Sequence, residues 1–126
     1  MRFAYVDTSL IVAMVLGEAD AVSIAHQLNG FDRVSSSNLL EAELRSVCHR
    51  ERRALDVAVL NGFQWIEPNR ALTEEITRVL HAGYVRGADC WHLATALFAT
   101  PDPTGFTFLT RDARQRDVAA ALGFQT

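Results

Sequence analysis

Short apolar runs alternate along the chain with segments of helical periodicity, and this alternation predicts the fold class. The runs FAYV at residues 3–6 and FTFL at residues 106–109 have the length and composition of buried strands. A weak strand is expected at residues 33–35, another strand at 63–66 and a short edge strand at 123–125. Strands that alternate with helices pair in parallel and are covered on both faces. We therefore expect an α/β domain of three layers, in which helices flank a central parallel sheet of four to five short strands.

Capping residues and helical spacing predict six helices between these strands. The first begins near Leu10, and the others cover about residues 19–28, 39–60, 69–84, 88–99 and 113–122. The expected cap clusters are Asp7-Thr8-Ser9, Ser36-Ser37-Asn38 and Thr110-Arg111-Asp112. Gly87 is expected to break the chain, and the helix after it has apolar residues on most faces, which is typical of a buried helix.

The composition supports one globular domain and excludes several classes of enzyme. The 126 residues are 49% apolar, which is enough for a single core in one domain over residues 1–126. All 12 cationic side chains are arginines, against 15 acids, and the formal net charge is −3. Because there is no lysine, a Walker-A phosphate loop, a Schiff-base enzyme and a phospho-receiver domain are excluded. The negative net charge also argues against a protein that coats nucleic acid non-specifically.

The N-terminal sequence and the cysteines indicate a cytoplasmic protein. The segment MRFAYVD has an acid at position 7 and lacks the apolar run of a signal peptide, and no stretch has the length of a membrane span. Cys48 and Cys90, 42 positions apart, form neither a disulfide framework nor a paired CxxC zinc motif. We expect a cytoplasmic protein with no membrane contact and two reduced core thiols.

Four acidic residues at the starts of helices are the candidate catalytic groups. Asp7 follows the first strand directly, Asp112 lies three positions after FTFL, and Asp89 opens the buried helix. The fourth is Glu41 or Glu43, and periodicity does not distinguish them because both flank the apolar stripe of the long helix. Each acid alone is explained as a cap or as a first-turn acid. Because sites in open α/β sheets lie beyond the carboxyl ends of the strands, we expect the acids to converge on one cleft.

Converging carboxylates of this kind predict a hard divalent cation. They raise one another's pKa unless a cation lies between them. Oxygen ligands with no histidine or cysteine partner select Mg²⁺ or Mn²⁺, so one of these is the expected cofactor. His26, His49 and His81 lack the spacing of metal ligands, and His92 is expected to be a hydrogen-bonded core residue.

Four segments carry a resemblance to a known family. In chain order they are YVDTSLIVAMV, SSSNLLEAELRS, GADCWHLATAL and FLTRDAR. They resemble the four motifs of the PIN-domain ribonucleases and, more narrowly, those of the VapC-type toxins, over nearly the whole chain. The metal-binding and catalytic acids that the resemblance implies are Asp7, Glu43, Asp89 and Asp112. It is the resemblance that selects Glu43 over Glu41, and Cys90 departs from the family, whose members often carry alanine beside this aspartate.

The resemblance also implies an activity and partners. It implies a Mg²⁺- or Mn²⁺-dependent endoribonuclease that inhibits translation and is the toxin of a type II toxin-antitoxin pair. It further implies a homodimer and a cognate antitoxin whose C-terminal segment covers the cleft. Guanidinium groups pair with phosphate bidentately, and threonine hydroxyls can bond a carboxylate or a metal-bound water. The residues expected to contact the RNA substrate or its site are Thr8, Arg50, Arg86, Thr110 and Arg111.

Two other functions fit parts of this pattern. A phosphatase or phosphotransferase would use the aspartate after the first strand as nucleophile. Such sites carry a second acid two residues on, where this chain has Ser9, and a lysine that it lacks. The other alternative is a catalytically silent PIN-like module that binds RNA or protein, and the retention of all four acids argues against it.

Overall fold

A parallel sheet of four strands organises the fold. The structure, a computed structural model, describes residues 1–126. The strands are β1 (Phe3–Val6), β2 (Arg33–Ser37), β3 (Gln64–Ile66) and β4 (Phe106–Leu109), and their order is β3-β2-β1-β4. All three strand pairs are parallel, which confirms the predicted sheet. The expected edge strand at 123–125 is a single parallel bridge between Thr107 and Gln125.

Six α-helices and two 3-10 turns cover the sheet. The helices are α1 (Thr8–Val15), α2 (Ala21–Asn29), α3 (Leu39–Arg50), α4 (Thr73–Ala82), α5 (Gly87–Ala99) and α6 (Ala113–Leu122). The 3-10 turns are Val57–Gly62 and Pro103–Gly105. Helices α1 to α3 pack on one face of the sheet and α4 to α6 on the other, which gives the three expected layers. None of the helices is long and apolar enough to cross a membrane.

The alternation of side chains along β1 divides the core between the two faces of the sheet. Val6 packs with Ile11 and Leu44 on the side of α1, α2 and α3. Tyr5 points to the other face, where it packs with Leu93 on the side of α4, α5 and α6. All five side chains are at most 1% exposed. The central strand is therefore buried on both faces, and its carboxyl end is held in position by packing from both sides.

The third helix is shorter than the periodicity predicted. A helix was expected over residues 39–60, whereas α3 ends at Arg50. Arg52 has a positive φ of 53°, and the Arg53 N–H donates to the Cys48 carbonyl at 2.8 Å, which satisfies an acceptor at the helix end. The apolar residues that prolonged the periodic pattern form the first 3-10 turn instead.

The serine cluster before α3 belongs mainly to a strand. β2 extends to Ser37, two residues beyond its expected end at 35, and pairs there with β3. Ser36 Oγ donates to the Val6 carbonyl at 2.8 Å, so this serine bonds to the neighbouring strand β1. Ser37 Oγ accepts from the Leu39 N–H at 3.0 Å and so caps α3 as expected, whereas the Asn38 side chain makes no capping bond.

Four other helices begin at different residues from those expected, and one of them, α2, begins at Ala21 instead of 19. α1 begins at Thr8, two residues before Leu10, because Asp7 alone is its N-cap. α4 begins at Thr73 instead of 69, since the preceding Leu72 is 1% exposed and takes a place in the core. Gly87 does not break the chain but is the first residue of α5.

Truncation of Leu93 to alanine is expected to lower the free energy of unfolding by about 3 kcal/mol, because it leaves a cavity in the core. Leu93 is 0% exposed, whereas Leu80 is 48% exposed and provides a matched control. Leu80→Ala should change stability by less than about 1 kcal/mol. Urea denaturation followed by circular dichroism measures both variants. Equal losses for the two would contradict the central position of Leu93.

Candidate active site

Asp7 lies at the carboxyl end of the central strand and is 4% exposed. Its N–H donates to the Leu109 carbonyl at 2.9 Å, which aligns the ends of β1 and β4. Its carboxylate accepts from the Ser9 N–H at 3.0 Å and from the Gln115 side-chain amide at 3.2 Å. Asp7 is therefore both the N-cap of α1 and a carboxylate fixed at the edge of the sheet.

The structure separates the two glutamates that periodicity could not distinguish. Glu43 Oε1 accepts from the Thr8 hydroxyl at 2.7 Å and lies 2.8 Å from Nε2 of His92, so its side chain turns towards Asp7. Glu41 pairs instead with Arg45 at 2.8 Å on the outer surface of α3. Burial raises the pKa of Glu43, but the hydrogen bonds from His92 and Thr8 together lower it below its ordinary value. Glu43 is thus an ionised carboxylate on the same side as Asp7.

Asp89 and Asp112 lie at the starts of α5 and α6. Asp112 is the N-cap of α6 and accepts from the backbone N–H of Gln115 at 2.8 Å. Asp89 lies in the first turn of α5, and the Gln115 side chain donates to its carbonyl at 3.3 Å. Burial raises the pKa of Asp89, and the charges of Asp7, Asp112 and Glu43 raise it further. The other three acids are therefore close enough to Asp89 to act electrostatically on its carboxyl group.

The acids border an open cleft of about 490 Å³. The residues that line it are Asp7, Thr8, Ser9, Val12, Glu43, Val47, Asp89 and Arg111. Asp112 is not among the lining residues and reaches the cleft only through its charge. A larger cavity of about 530 Å³ lies at the amino ends of β2 and β3, lined by residues such as Phe31, Val34 and Phe63. It holds no cluster of acids, so the smaller cleft is the better candidate for chemistry.

The donor chemistry of the cleft fits Mg²⁺ or Mn²⁺, although its side chains do not form a closed chelate. No group of three or more His, Cys, Asp or Glu side chains is arranged to hold a metal ion. The carboxylates of Asp7 and Glu43 accept hydrogen bonds from the side chains and backbone around them instead. Burial raises the pKa of Asp89 most, and repulsion by the neighbouring acids, which a cation would relieve, raises it further. The oxygen ligands suit a hard divalent ion, and chelation by three of them requires some inward movement of the side chains.

His92 is buried, as expected, and it also contacts the acids. It is 1% exposed, and its Nδ1 lies 2.7 Å from the Tyr5 hydroxyl. Because the Glu43 carboxylate can only accept, we assign the ring proton to Nε2, and Nδ1 then accepts from Tyr5. The Tyr5 oxygen accepts in turn from the Ser37 N–H at 3.0 Å. Burial raises the pKa of the Tyr5 hydroxyl, so this hydroxyl keeps its proton and a chain of hydrogen bonds runs from strand β2 to Glu43.

Gln115 is the site residue that sequence reasoning missed. It is 0% exposed, and its side-chain amide donates to Asp7 and to the Asp89 carbonyl. The Thr110 hydroxyl donates to its Oε1 at 2.6 Å. A signal was present, because Asp112 and Gln115 have the spacing of a capping box, in which an acid or amide at the third helical position returns to the cap. Here the Gln115 side chain turns inward and ties together the elements that carry three of the acids.

The two predicted threonines both contact the acidic cluster. Thr8 donates to Glu43, as described above, and is 6% exposed. Thr110 is also 6% exposed, and its hydroxyl accepts from the Asp112 N–H at 3.0 Å. The same hydroxyl lies 3.5 Å from Oδ2 of Asp7. Both threonines therefore bond to site carboxylates or their backbone, which is compatible with the positioning role expected of them.

The three predicted arginines lie at different places around the cleft. Arg111 lines it, but its guanidinium bonds to Glu18 and lies 3.6 Å from Asp20, both in the loop between α1 and α2. Arg50 is exposed at the end of α3, pairs with the next glutamate at 3.1 Å, and is not a lining residue. Arg86 is exposed at the N-cap of α5. The structure brings Arg111 to the acids and leaves the other two outside.

Asp89→Asn is expected to raise the melting temperature of the metal-free protein by about 1–3 °C near neutral pH. The pKa of Asp89 is raised in the folded state, so ionisation of this carboxyl opposes folding. The wild-type protein therefore loses stability as pH rises and Asp89 ionises, whereas the neutral Asn does not. The gain should shrink as pH falls through the ordinary value of 3.8, below which the carboxyl is protonated in both states. Differential scanning calorimetry in EDTA measures it.

The control for this variant is Asp117→Asn, because Asp117 is an exposed aspartate on α6 away from the cleft. Removal of this charge should leave the melting temperature unchanged within the scatter of repeat scans. An equal gain for both variants would show that the overall negative charge of the protein, and not repulsion in the cleft, is relieved.

Comparison with known proteins agrees with this geometry. The model of the PIN domain family matches residues 4–121, which is most of the chain. No curated protein and no solved structure matches the chain significantly. The match includes all four acids and every strand of the sheet. The chain therefore belongs to the PIN domain family, and this membership indicates a nuclease-type function.

Proposed function

We propose that this PIN domain is a metal-dependent endoribonuclease that hydrolyses phosphodiester bonds in RNA. The observation that carries the proposal is the meeting of four carboxylates at the carboxyl edge of the parallel sheet, where three of them raise the pKa of the fourth, Asp89. A cleft of this charge repels a bare phosphodiester, so cleavage requires a cation that brings the scissile phosphate to the acids. Family membership supports a nuclease, and the oxygen donors support a divalent metal.

The residues that would hold Mg²⁺ or Mn²⁺ are Asp7, Glu43, Asp89 and Asp112. Such an ion, when bound, lowers the pKa of coordinated water and neutralises charge on the phosphate. Asp7 and Asp89 are the proposed direct ligands, because Asp7 is fixed at the strand end and Asp89 lines the same cleft, where burial and then the charges of the other acids raise its pKa. Glu43 and Asp112 are further ligands or orient water.

Hydrogen-bond donors hold the acids in position. Thr8 and His92 both donate to one oxygen of Glu43, which leaves its other oxygen free of these bonds. Ser9 and Gln115 hold Asp7 in the same way. These bonds fix the orientation of the two carboxylates beside the cleft, where their negative potential attracts a cation.

Arg111 is the proposed contact for the RNA phosphate, because it is the one cationic side chain that lines the cleft. A guanidinium presents two parallel donors to two phosphate oxygens. Glu18 and Asp20 now occupy these donors. A phosphate that binds Arg111 therefore displaces these carboxylates. Because they are exposed, breaking their ion pairs costs little free energy.

Cleavage of structured RNA in Mg²⁺ or Mn²⁺, and none in EDTA, is the expected activity. Asp89→Asn and Glu43→Gln should each lower the cleavage rate by at least about 100-fold, because each removes a metal ligand. Glu41→Gln is the matched control on the same helix and should cleave at the wild-type rate, since Glu41 pairs with Arg45 away from the cleft. Gel analysis of labelled RNA measures all four proteins.

Two results would overturn this assignment. RNA cleavage that survives EDTA or the Asp89→Asn change would exclude the metal mechanism. Hydrolysis of a model phosphomonoester without RNA cleavage would favour the phosphatase alternative. Titration of the wild-type protein with Mn²⁺ should also raise its melting temperature, and Asp89→Asn should abolish this rise, which provides a readout independent of turnover.

We further propose that the protein is the toxin of a toxin-antitoxin pair and acts on RNA in the cytoplasm as a homodimer. The resemblance of its four motifs to those of VapC-type toxins supports this role. The negative potential of the cleft supports an antitoxin that places a basic side chain among the acids. A catalytically silent module that binds RNA or protein remains the alternative, and the nuclease assay separates it from the toxin.

Induced expression of the wild-type protein in a bacterial host is expected to stop translation and growth, because RNA is cleaved. Asp89→Asn, expressed at the same level, should permit growth. Incorporation of labelled amino acids measures translation, and sedimentation of the purified protein measures whether it has twice the mass of one chain. Arrest by both proteins would show that toxicity does not depend on the acidic site.

A further inference from the structure

Tyr84 is the one aromatic side chain among the exposed large hydrophobic residues, with 66% of its surface accessible. It follows α4, directly before the buried Val85 that anchors the turn into α5. An exposed tyrosine keeps the apolar surface of its ring in contact with water, whereas a polar residue in the same position would not have this unfavourable contact. Its place on a turn fixed by a core residue makes it a rigid feature of the surface.

The surroundings of Tyr84 suit a flat, negatively charged ligand. The Arg114 guanidinium carbon lies 5.8 Å from the centre of the Tyr84 ring. A cavity of about 280 Å³ opens beside the pair, and its lining also includes Gly83 and Asp117. The ring remains mostly exposed with Arg114 in place, so a second planar group has room to stack on it.

The pair lies beside the proposed catalytic acids. Arg114 is two residues after Asp112, so their Cα atoms are at most about 7 Å apart. Tyr84 is five residues before Asp89, and Gln115 ties the first turn of α6 to the first turn of α5. The salt-bridged arginines of the protein are Arg45, Arg50, Arg70 and Arg111. Arg114 and the nearby Arg86 are therefore free of carboxylates and available to phosphate.

We infer that Tyr84 and Arg114 form a subsite for an unpaired RNA base next to the bond that the acids cleave. The base stacks on the Tyr84 ring, and the flanking phosphates meet Arg114 and Arg86. This inference rests on the proposed ribonuclease function and adds to it the two side chains that hold the base. A second copy of this chain is a less suitable occupant, since free guanidinium groups on both copies would repel each other.

The test is the affinity of the full-length protein for a fluorescent single-stranded RNA in EDTA, where the proposed enzyme does not cleave. Tyr84→Ala should weaken binding about tenfold, the loss expected for one stacked base, while Tyr84→Phe keeps the ring and the affinity. Val57→Ala, at another exposed apolar residue, should bind as wild type. A duplex of the same length should bind equally to wild type and Tyr84→Ala.

An RNA with one abasic position identifies the stacked base directly. In a series of RNAs, the abasic position is placed at each nucleotide in turn. One RNA of the series should bind the wild type more weakly than the others, and Tyr84→Ala should bind all of them equally. The subsite is wrong if Tyr84→Ala binds single-stranded RNA as tightly as the wild type. It is also wrong if Tyr84→Ala sediments as a smaller species than the wild type, because the surface then contacts a second copy of the chain. If wild type cleaves RNA in Mg²⁺ while Tyr84→Ala binds normally, the subsite alone is wrong. If wild type cleaves nothing, the proposed function fails instead.

Discussion

The register of strand β1 between its two neighbours is the constraint on which the site depends. β1 pairs in parallel with β2 on one side and β4 on the other, so Val6 is level with Leu109 and the three strands end at one edge. The residue after β1 is Asp7, and the segment after β4 carries Thr110 and Asp112. Displacement of either neighbour along β1 would separate these groups by the rise of one residue, about 3.3 Å for each step. Backbone pairing thus supplies the precision that flexible acidic side chains lack.

Collecting like charges in this way opposes folding, and hydrogen bonds to the carboxylates offset part of the repulsion. The donors come from three helices that meet the edge: Ser9 from α1, His92 from α5 and Gln115 from α6. Each lies in or against the core, so its own orientation is fixed by packing. The polar cluster and the apolar core are therefore mutually dependent.

The strands, the helical layers and three of the acids could be predicted because they depend on local patterns. Asp7, Asp89 and Asp112 stand at the starts of elements, and topology brings such starts together. The end of α3 could not be predicted, because the apolar period continues into the 3-10 turn and the interruption at Arg52 depends on tertiary contacts. Glu43 could not be chosen by periodicity either, since its orientation is set by His92 on a helix 49 residues away along the chain. Long-range hydrogen bonds of this kind leave no mark on a local pattern.

The absence of lysine has a consequence for how the protein can be regulated. Guanidinium groups keep their charge at every physiological pH, so the cations around the cleft do not titrate. Any pH dependence of ligand binding must therefore arise from the carboxylates and the four histidines, not from the cations. Acetylation, which neutralises lysine, has no side chain to act on here, so the positive potential of the arginines is changed by ion pairing. Arg111 and Glu18 already form such a pair. What can change on this surface is therefore the carboxylate with which each arginine pairs.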